Sequence, residues 1–273
     1  MKCIVLCADD YGQAPAISEG ICQLIQQNRL SAVSCLVNTA FWQEHAQWLK
    51  PFKDKIDIGL HLNFTEGRAL SAPYIKAYGE SLQTLSQLIP NVFLRQLDPK
   101  ILKVEIHAQI EAFINALGFL PCFIDGHQHV HQFPLIRESL IEVYADYFKD
   151  QTSYMRWVNE KIKMADFLFN HKKIIINLLG ARTLKKLLIQ YNIPHNQSFA
   201  GIYSFRGRQS FPQLFPQFLR EISNKGIIMC HPGLPDHHPT DKIEPNRGEE
   251  YQYLIGDQFI RDCQLNQVSL GRF

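Results

Sequence analysis

The stretch Cys3-Ile4-Val5-Leu6-Cys7-Ala8, continued by Asp9-Asp10-Tyr11-Gly12 and then by Pro15 to Asn28, decides the fold. An apolar run that ends in carboxylates reads as a buried strand opening into a polar loop. Behind it, Ile17, Ile21, Leu24 and Ile25 recur at the spacing of an amphipathic helix. The same unit repeats along the chain. Strands are expected at Ala32 to Leu36, Ile56 to Leu62, Phe123 to Asp125, Tyr154 to Trp157, Gly226 to Cys230 and Gln267 to Leu270. Helices are expected at Phe41 to Leu49 and at Pro99 to Leu117, the latter with Ile101, Val104, Ala108, Phe113 and Leu117 as its apolar stripe and Pro99 in its first turn. Strand-helix alternation of this kind means an α/β fold, a parallel sheet covered by helices.

The chain has 273 residues, 46% of them hydrophobic and 20% charged, which excludes intrinsic disorder, a disulfide-stapled small fold and a collagen-like repeat. The formal net charge of +2 comes without a long run of like charges, so nucleic acid is not an expected partner. No composition shift or linker divides the chain, and one domain is expected over 1–273. Gly67 to Asn91 and Asp166 to Phe199 read as insertions. The second carries a basic helix (Lys172, Lys173, Arg182, Lys185, Lys186), either a solvated face or the contact of a homodimer. Seven scattered cysteines without a CxxC pair read as free thiols in a reducing, cytoplasmic compartment. The apolar run at the start is too short for a signal segment, and no stretch of about 18 apolar residues follows, so no membrane is expected.

The 11 histidines are the unusual entry in this composition. Several of them fall just past strand ends, where parallel α/β folds place their sites. Four clusters qualify: Asp9-Asp10, the segment Gly59-Leu60-His61, the run Asp125-Gly126-His127-Gln128-His129-Val130-His131, and Cys230-His231-Pro232-Gly233. At least one helix separates each from the next, so distant strand ends converge on one mouth.

Adjacent carboxylates at a strand end cannot both face a core, and only one could cap the helix at Pro15. At a bend both can reach a central ion, one directly and one through its water. His61 alone would equally suit a hydrogen-bonded core residue. On a strand, period two would put His127, His129 and His131 on one face, where each ring nitrogen needs a partner and a divalent cation supplies one. Gly126 and Phe133-Pro134 make that extended run brief, so the first histidine is a ligand candidate and the others serve second-shell partners or substrate; spacing alone does not single out which binds. His231, before a Pro-Gly turn, is either a loop residue or a general acid. His237-His238 lie in a Pro/Asp-rich loop and read as exposed. Tyr11, Phe64, Tyr74 and Trp157 could stack on a ligand ring or belong to the core.

Together these motifs, with Ala8-Asp9-Asp10-Tyr11-Gly12, Thr65-Glu66-Gly67 after His61, and Met229-Cys230-His231-Pro232-Gly233, resemble the YdjC-like carbohydrate deacetylases, which include the chitooligosaccharide deacetylases. The resemblance runs from residue 3 to Ser269-Leu270-Gly271 and is weakest in the middle insertions, the segments expected to contact sugars. It implies a distorted (β/α) barrel related to polysaccharide deacetylases. It also implies one divalent ion, magnesium or zinc, held by Asp10, His61 and His127. By the same resemblance, Asp9 would be the general base and His231 the acid, Asp125 would orient a neighbouring imidazole, and Arg156 would hold Asp9 or the substrate. The implied reaction is hydrolysis of an N-acetyl group on a small carbohydrate. Rival readings are a metal-dependent phosphoesterase or amidohydrolase and a non-catalytic sugar-binding protein; the first strand ends in Asp9-Asp10 rather than in the paired histidines usual for an amidohydrolase.

Overall fold

The computed structural model describes residues 1–148, 153–159, 180–205, 207, 209–236, 241 and 243–273. The opening run is strand β1 (Lys2–Tyr11), and helix α1 (Pro15–Gln26) follows with Pro15 in its first turn. The chain continues through β2 (Ala32–Cys35), α2 (Trp42–Leu49), β3 (Asp57–Leu62), α3 (Ala72–Tyr78), α4 (Leu85–Phe93), α5 (Pro99–Leu117) and β4 (Phe123–Gly126). Next come α6 (Ile136–Tyr147), β5 (Tyr154–Met155), α7 (Arg182–Gln190), β6 (Phe199–Ala200), α8 (Phe211–Glu221), β7 (Ile227–Cys230), α9 (Glu244–Ile255), α10 (Asp257–Leu265) and β8 (Val268–Leu270).

The strands are parallel and ordered β5-β4-β3-β2-β1-β7-β6, with β8 paired to the start of β1. The sheet curls until its two ends approach. The gap beyond β5 is bridged by the segment before β6: the Met155 amide donates to the Pro194 carbonyl at 2.9 Å, and the buried Asn196 side chain bonds the Trp157 amide, the Trp157 carbonyl and the Ser198 carbonyl. This is the distorted barrel expected from the sequence.

Period-two alternation sorts each strand between two cores. Ile4, Leu6 and Ala8 face outward into the cluster shared with the helices, as do Ile58, Leu60, Ile124, Met155 and Ile228. Val5, Cys7, Ala32, Phe123, Tyr154, Phe199, Ile227 and Met229 fill the barrel interior. Gly59 makes room there, since a Cβ at this position would stand 2.5 Å from the Phe123 ring.

One expectation needs correction, and two insertions gain detail. In α5 the buried face runs through Leu102, Ile106, Ile110 and Phe113, and Val104 is exposed. Buried Glu105 and Gln109 interrupt that face because they tie down loops: Glu105 accepts from the Leu70 and Ser71 amides, and Gln109 bonds the Asn63 backbone. The Gly67 to Asn91 stretch carries two helices of its own, α3 and α4. Of the basic insertion, Lys172 and Lys173 lie outside the described residues. Its described helix α7 buries Leu184 and Leu188 and lays the Lys185 ammonium 3.7 Å from the Trp157 ring centre. Among the described residues no helix is long and apolar enough to cross a membrane, and all seven cysteines are free thiols.

Candidate active site

The upper layer of the barrel is built by the strands that fill its floor with apolar groups. One pitch above Cys7 stands Asp9; above Gly59, His61; above Phe123, Asp125; and above Tyr154, Arg156. All four are buried, Asp125 and Arg156 completely. Such charges persist in a core only when paired, and here they pair with one another. Arg156 donates through both terminal nitrogens to the Asp9 carboxylate at 2.7 Å, and its Nη2 lies 2.6 Å from Asp125 Oδ2 and 3.0 Å from Cys7 Sγ. Of its two anticipated tasks, Arg156 holds Asp9. It bridges from β5 to β1, which the curl of the sheet brings together.

Asp10 reaches the same mouth because the strand breaks its alternation. Its φ is 66°, in the left-handed region, and the pairing of β1 with β2 shifts register between Ala8 and Tyr11. Both carboxylates therefore face the cavity. His127 Nδ1 donates to Asp10 Oδ1 at 2.9 Å, and His61 Nε2 lies 3.5 Å from the same oxygen. The far nitrogen of His61 donates to Asp125 Oδ1 at 2.6 Å, and the Ser34 hydroxyl donates to that oxygen too. Asp125 thus orients a neighbouring imidazole, leaving Nε2 for the mouth.

Asp10, His61 and His127 each offer a ligand atom within 4.8 Å of the others. Burial works to raise the Asp10 carboxyl, but Arg247, His127 and His61 outweigh it and hold it well below the carboxylate range. Burial also disfavours a charged His61, yet Asp125, Asp9 and Asp10 push it up to about 10; His127, against Asp10 and Glu66, rises to about 9. Carboxylates that draw protons onto two buried imidazoles mark a place where positive charge is favoured. A carboxylate with two imidazoles is a donor set that suits a divalent cation such as zinc, so these residues fit one. Cys7, Asp9 and Asp125 form a second group of the same tightness, but the Arg156 guanidinium already neutralises it.

The three histidines after β4 do not stack on one face. The strand ends at Gly126, and His127 to Gln132 turn tightly, with Gln128 and His129 at positive φ. His127 alone of the three enters the cluster. His129 lines the cavity edge-on to Phe199, with ring centres 6.2 Å apart. His131 turns away and donates from Nε2 to the Arg156 carbonyl at 2.9 Å. Burial lowers it to about 4, so it is neutral and supports the backbone that carries Arg156.

His231 follows β7 and lines the same cavity, its ring edge-on to Phe205 at 5.6 Å. His237 and His238 lie outside the described residues. Tyr11, Phe64, Tyr74 and Trp157 are buried and absent from the cavity wall, so they are core rather than stacking platforms; among the described residues Phe133 and Phe205 line the wall. The cavity measures about 920 Å³, near the upper end of small-molecule sites, roughly 300–1,000 Å³.

Sequence reasoning missed three wall or support residues. Glu66 stands 3.4 Å from His127 Nε2 and accepts from Gln13 and Gln128. Arg247 donates to Asp10 Oδ2, and Glu250 accepts from the His231 amide. Glu66 sits in the Thr65-Glu66-Gly67 motif, a signal that was present without an assigned role. Arg247 and Glu250 lie on a helix far along the chain with no local pattern to mark them.

A family model described as YdjC-like protein matches residues 3–265. The chain belongs to the YdjC-like family. Among its relatives is a Danio rerio carbohydrate deacetylase, 29% identical over 53% of this chain and 47% of that protein; the chain spans about half the length of that relative. A Yersinia enterocolitica chitooligosaccharide deacetylase is 25% identical, covering 97% of this chain and 93% of that one. A crystallised protein of Enterococcus faecalis V583, whose name proposes cellobiose-phosphate cleavage, superposes with a TM-score of 0.75 at 17% identity, covering 99% of this chain and 97% of that one; the likeness is one of fold. This YdjC-like chain thus has the curled parallel sheet with its polar residues gathered at the mouth.

Proposed function

We propose that the protein is a metal-dependent carbohydrate N-deacetylase that hydrolyses the N-acetyl group of a small amino sugar or chitooligosaccharide. The observation that carries this reading is the buried Asp10, His61 and His127 cluster standing beside an Asp9 clamped by Arg156, at the floor of a sugar-sized cavity. The names of full-length bacterial relatives support the substrate class.

Asp10 Oδ1, His61 Nε2 and His127 Nδ1 would hold one divalent ion, magnesium or zinc, which when bound supplies Lewis-acid polarisation of the amide carbonyl and a water of lowered pKa. Asp9 is the general base. Its two oxygens are fixed by the Arg156 fork, so its carboxylate meets the water in one orientation. His231 is the general acid and gives its proton to the departing nitrogen, which leaves poorly as an anion. His61 keeps its geometry through Asp125, and His131 keeps that of Arg156 through the backbone. Phe133 and Phe205 offer apolar faces to the sugar. The seven free thiols support a reducing, cytoplasmic setting for this reaction.

Acetate release from N,N'-diacetylchitobiose and other N-acetylated sugars, with and without EDTA, tests the reading. Release that EDTA abolishes and added metal restores supports it. Absence of release from every N-acetylated sugar in metal-replete enzyme contradicts it.

A further inference from the structure

Helix α9 buries two charged side chains three residues apart, Arg247 and Glu250, a spacing that puts them on one helix face. Arg247 is 3% exposed, and its guanidinium bonds described residues on several sides. Its Nη2 donates to Asp10 Oδ2 at 2.8 Å and to Gln13 Oε1 at 2.9 Å. Its Nε donates to Asp241 Oδ2 at 2.6 Å, and its Nη1 to the His231 carbonyl at 3.4 Å. Glu250 takes the other side of His231: its Oε2 accepts from the His231 amide at 2.5 Å, while Oε1 accepts from the Tyr203 hydroxyl at 2.5 Å. The Arg247 carbonyl itself accepts from the Gly233 amide at 3.2 Å, so the whole turn after β7 is fastened to this helix.

We infer that Arg247 is a positioning residue that couples the two halves of the reaction centre, restricting Asp10 to one metal-facing oxygen while holding the His231 peptide where its imidazole meets the leaving nitrogen. The inference rests on the deacetylase reading above. A fork is required for it. One end of the guanidinium occupies Asp10 Oδ2 and another reaches the loop of the acid, and a lysine ammonium, a point charge on a flexible stem, cannot span both. A purely structural counter-ion to Asp10 would need only charge. Removing a guanidinium from beside a ligand carboxylate leaves that carboxylate more negative, so ion affinity holds or rises while turnover falls.

The test compares wild type, Arg247→Ala and Arg247→Lys. The readouts are zinc or magnesium affinity of the metal-stripped proteins by calorimetry, kcat and KM for acetate release, rescue by added guanidinium, and the melting temperature. A displacement of the order of 1 Å can lower turnover about 100-fold. The expected result for Arg247→Ala is a kcat lower by about that factor, metal affinity unchanged or tighter, and partial recovery of kcat in guanidinium. Arg247→Lys is expected to melt near the wild-type temperature and still lose about tenfold or more in kcat. Three results overturn the inference: full activity of Arg247→Lys, an activity loss that merely tracks weakened metal binding, or no guanidinium rescue in a folded Arg247→Ala. Should Arg247→Ala fail to fold, Arg247→Lys decides alone. Wild type inactive on every N-acetylated sugar would instead overturn the deacetylase reading.

Discussion

The floor and the mouth of the barrel are made by the same strands, two residues apart, and could hardly differ more. At the floor, Val5, Cys7, Phe123, Tyr154 and Phe199 pack as an apolar plug. At the mouth, Asp9, His61, Asp125 and Arg156 replace them in the same interior-facing rows, all at 2% exposure or less. The difference shows how a parallel barrel holds reactive groups. Buried charges are tolerated because rigid strands bring opposite charges into contact at 2.6–2.7 Å, and the apolar plug beneath keeps water from competing.

The strongest way to break the contrast is at the mouth. Asp9→Asn keeps the shape of the side chain and removes the base. Turnover should fall by about 10²–10⁴ while calorimetry still finds the metal bound. Near-full activity with metal in place would show that Asp9 is not the base.

The next effect comes from His131, which the folded protein keeps neutral until about pH 4. The unfolded chain takes up that proton near pH 6.5. Protons therefore favour unfolding progressively as pH falls from about 6.5 to 4, and the stability is fully present above that window. The loss should approach roughly 3 kcal/mol in denaturant melts, from the 1.36 kcal/mol that accompanies each pKa unit. His131→Gln, whose amide can still donate to the Arg156 carbonyl, should flatten this dependence. An unchanged slope would rule out His131 as its source.

Asp125→Asn acts at the junction of mouth and floor, leaving His61 without its charged orienter and Arg156 with one carboxylate fewer. Metal affinity should drop about 10–100-fold, the usual effect of losing an outer partner of a ligand. Gly59→Ala attacks the floor alone. The new methyl meets the Phe123 ring, and stability should fall by about 1–3 kcal/mol, read as a lower denaturant midpoint, with metal affinity in the folded protein unchanged. If metal affinity falls with stability there, mouth and floor are not separable.

Much of this was legible in the chain. The Cys3 to Ala8 run and the helix behind it give the first unit directly, and six further strands appear within a residue or two of their expected bounds because buried parallel strands are short, continuous apolar runs. Strand β6, with only Phe199 and Ala200, is too brief to show any pattern. The convergence of Asp9, Asp10, His61, His127 and His231 on one mouth was readable because each lies at or just past the C-terminal end of an apolar strand. The parting of His127, His129 and His131 onto different faces was not, because left-handed Gln128 and His129 break the extended chain where its side-chain types alone suggest period two. Arg247 was invisible for a different reason. It reaches Asp10 from a helix, and helical position carries no local mark of a distant ion pair.

The central claim is that Asp10, His61 and His127, and not the equally compact Cys7, Asp9 and Asp125, hold the ion. Anomalous diffraction from zinc-loaded crystals tests it most directly. The account predicts a single peak about 2.0–2.2 Å from Asp10 Oδ1, His61 Nε2 and His127 Nδ1, with Arg156 still seated on Asp9. A peak among Cys7, Asp9 and Asp125 with Arg156 displaced, or no peak at the mouth, would contradict it.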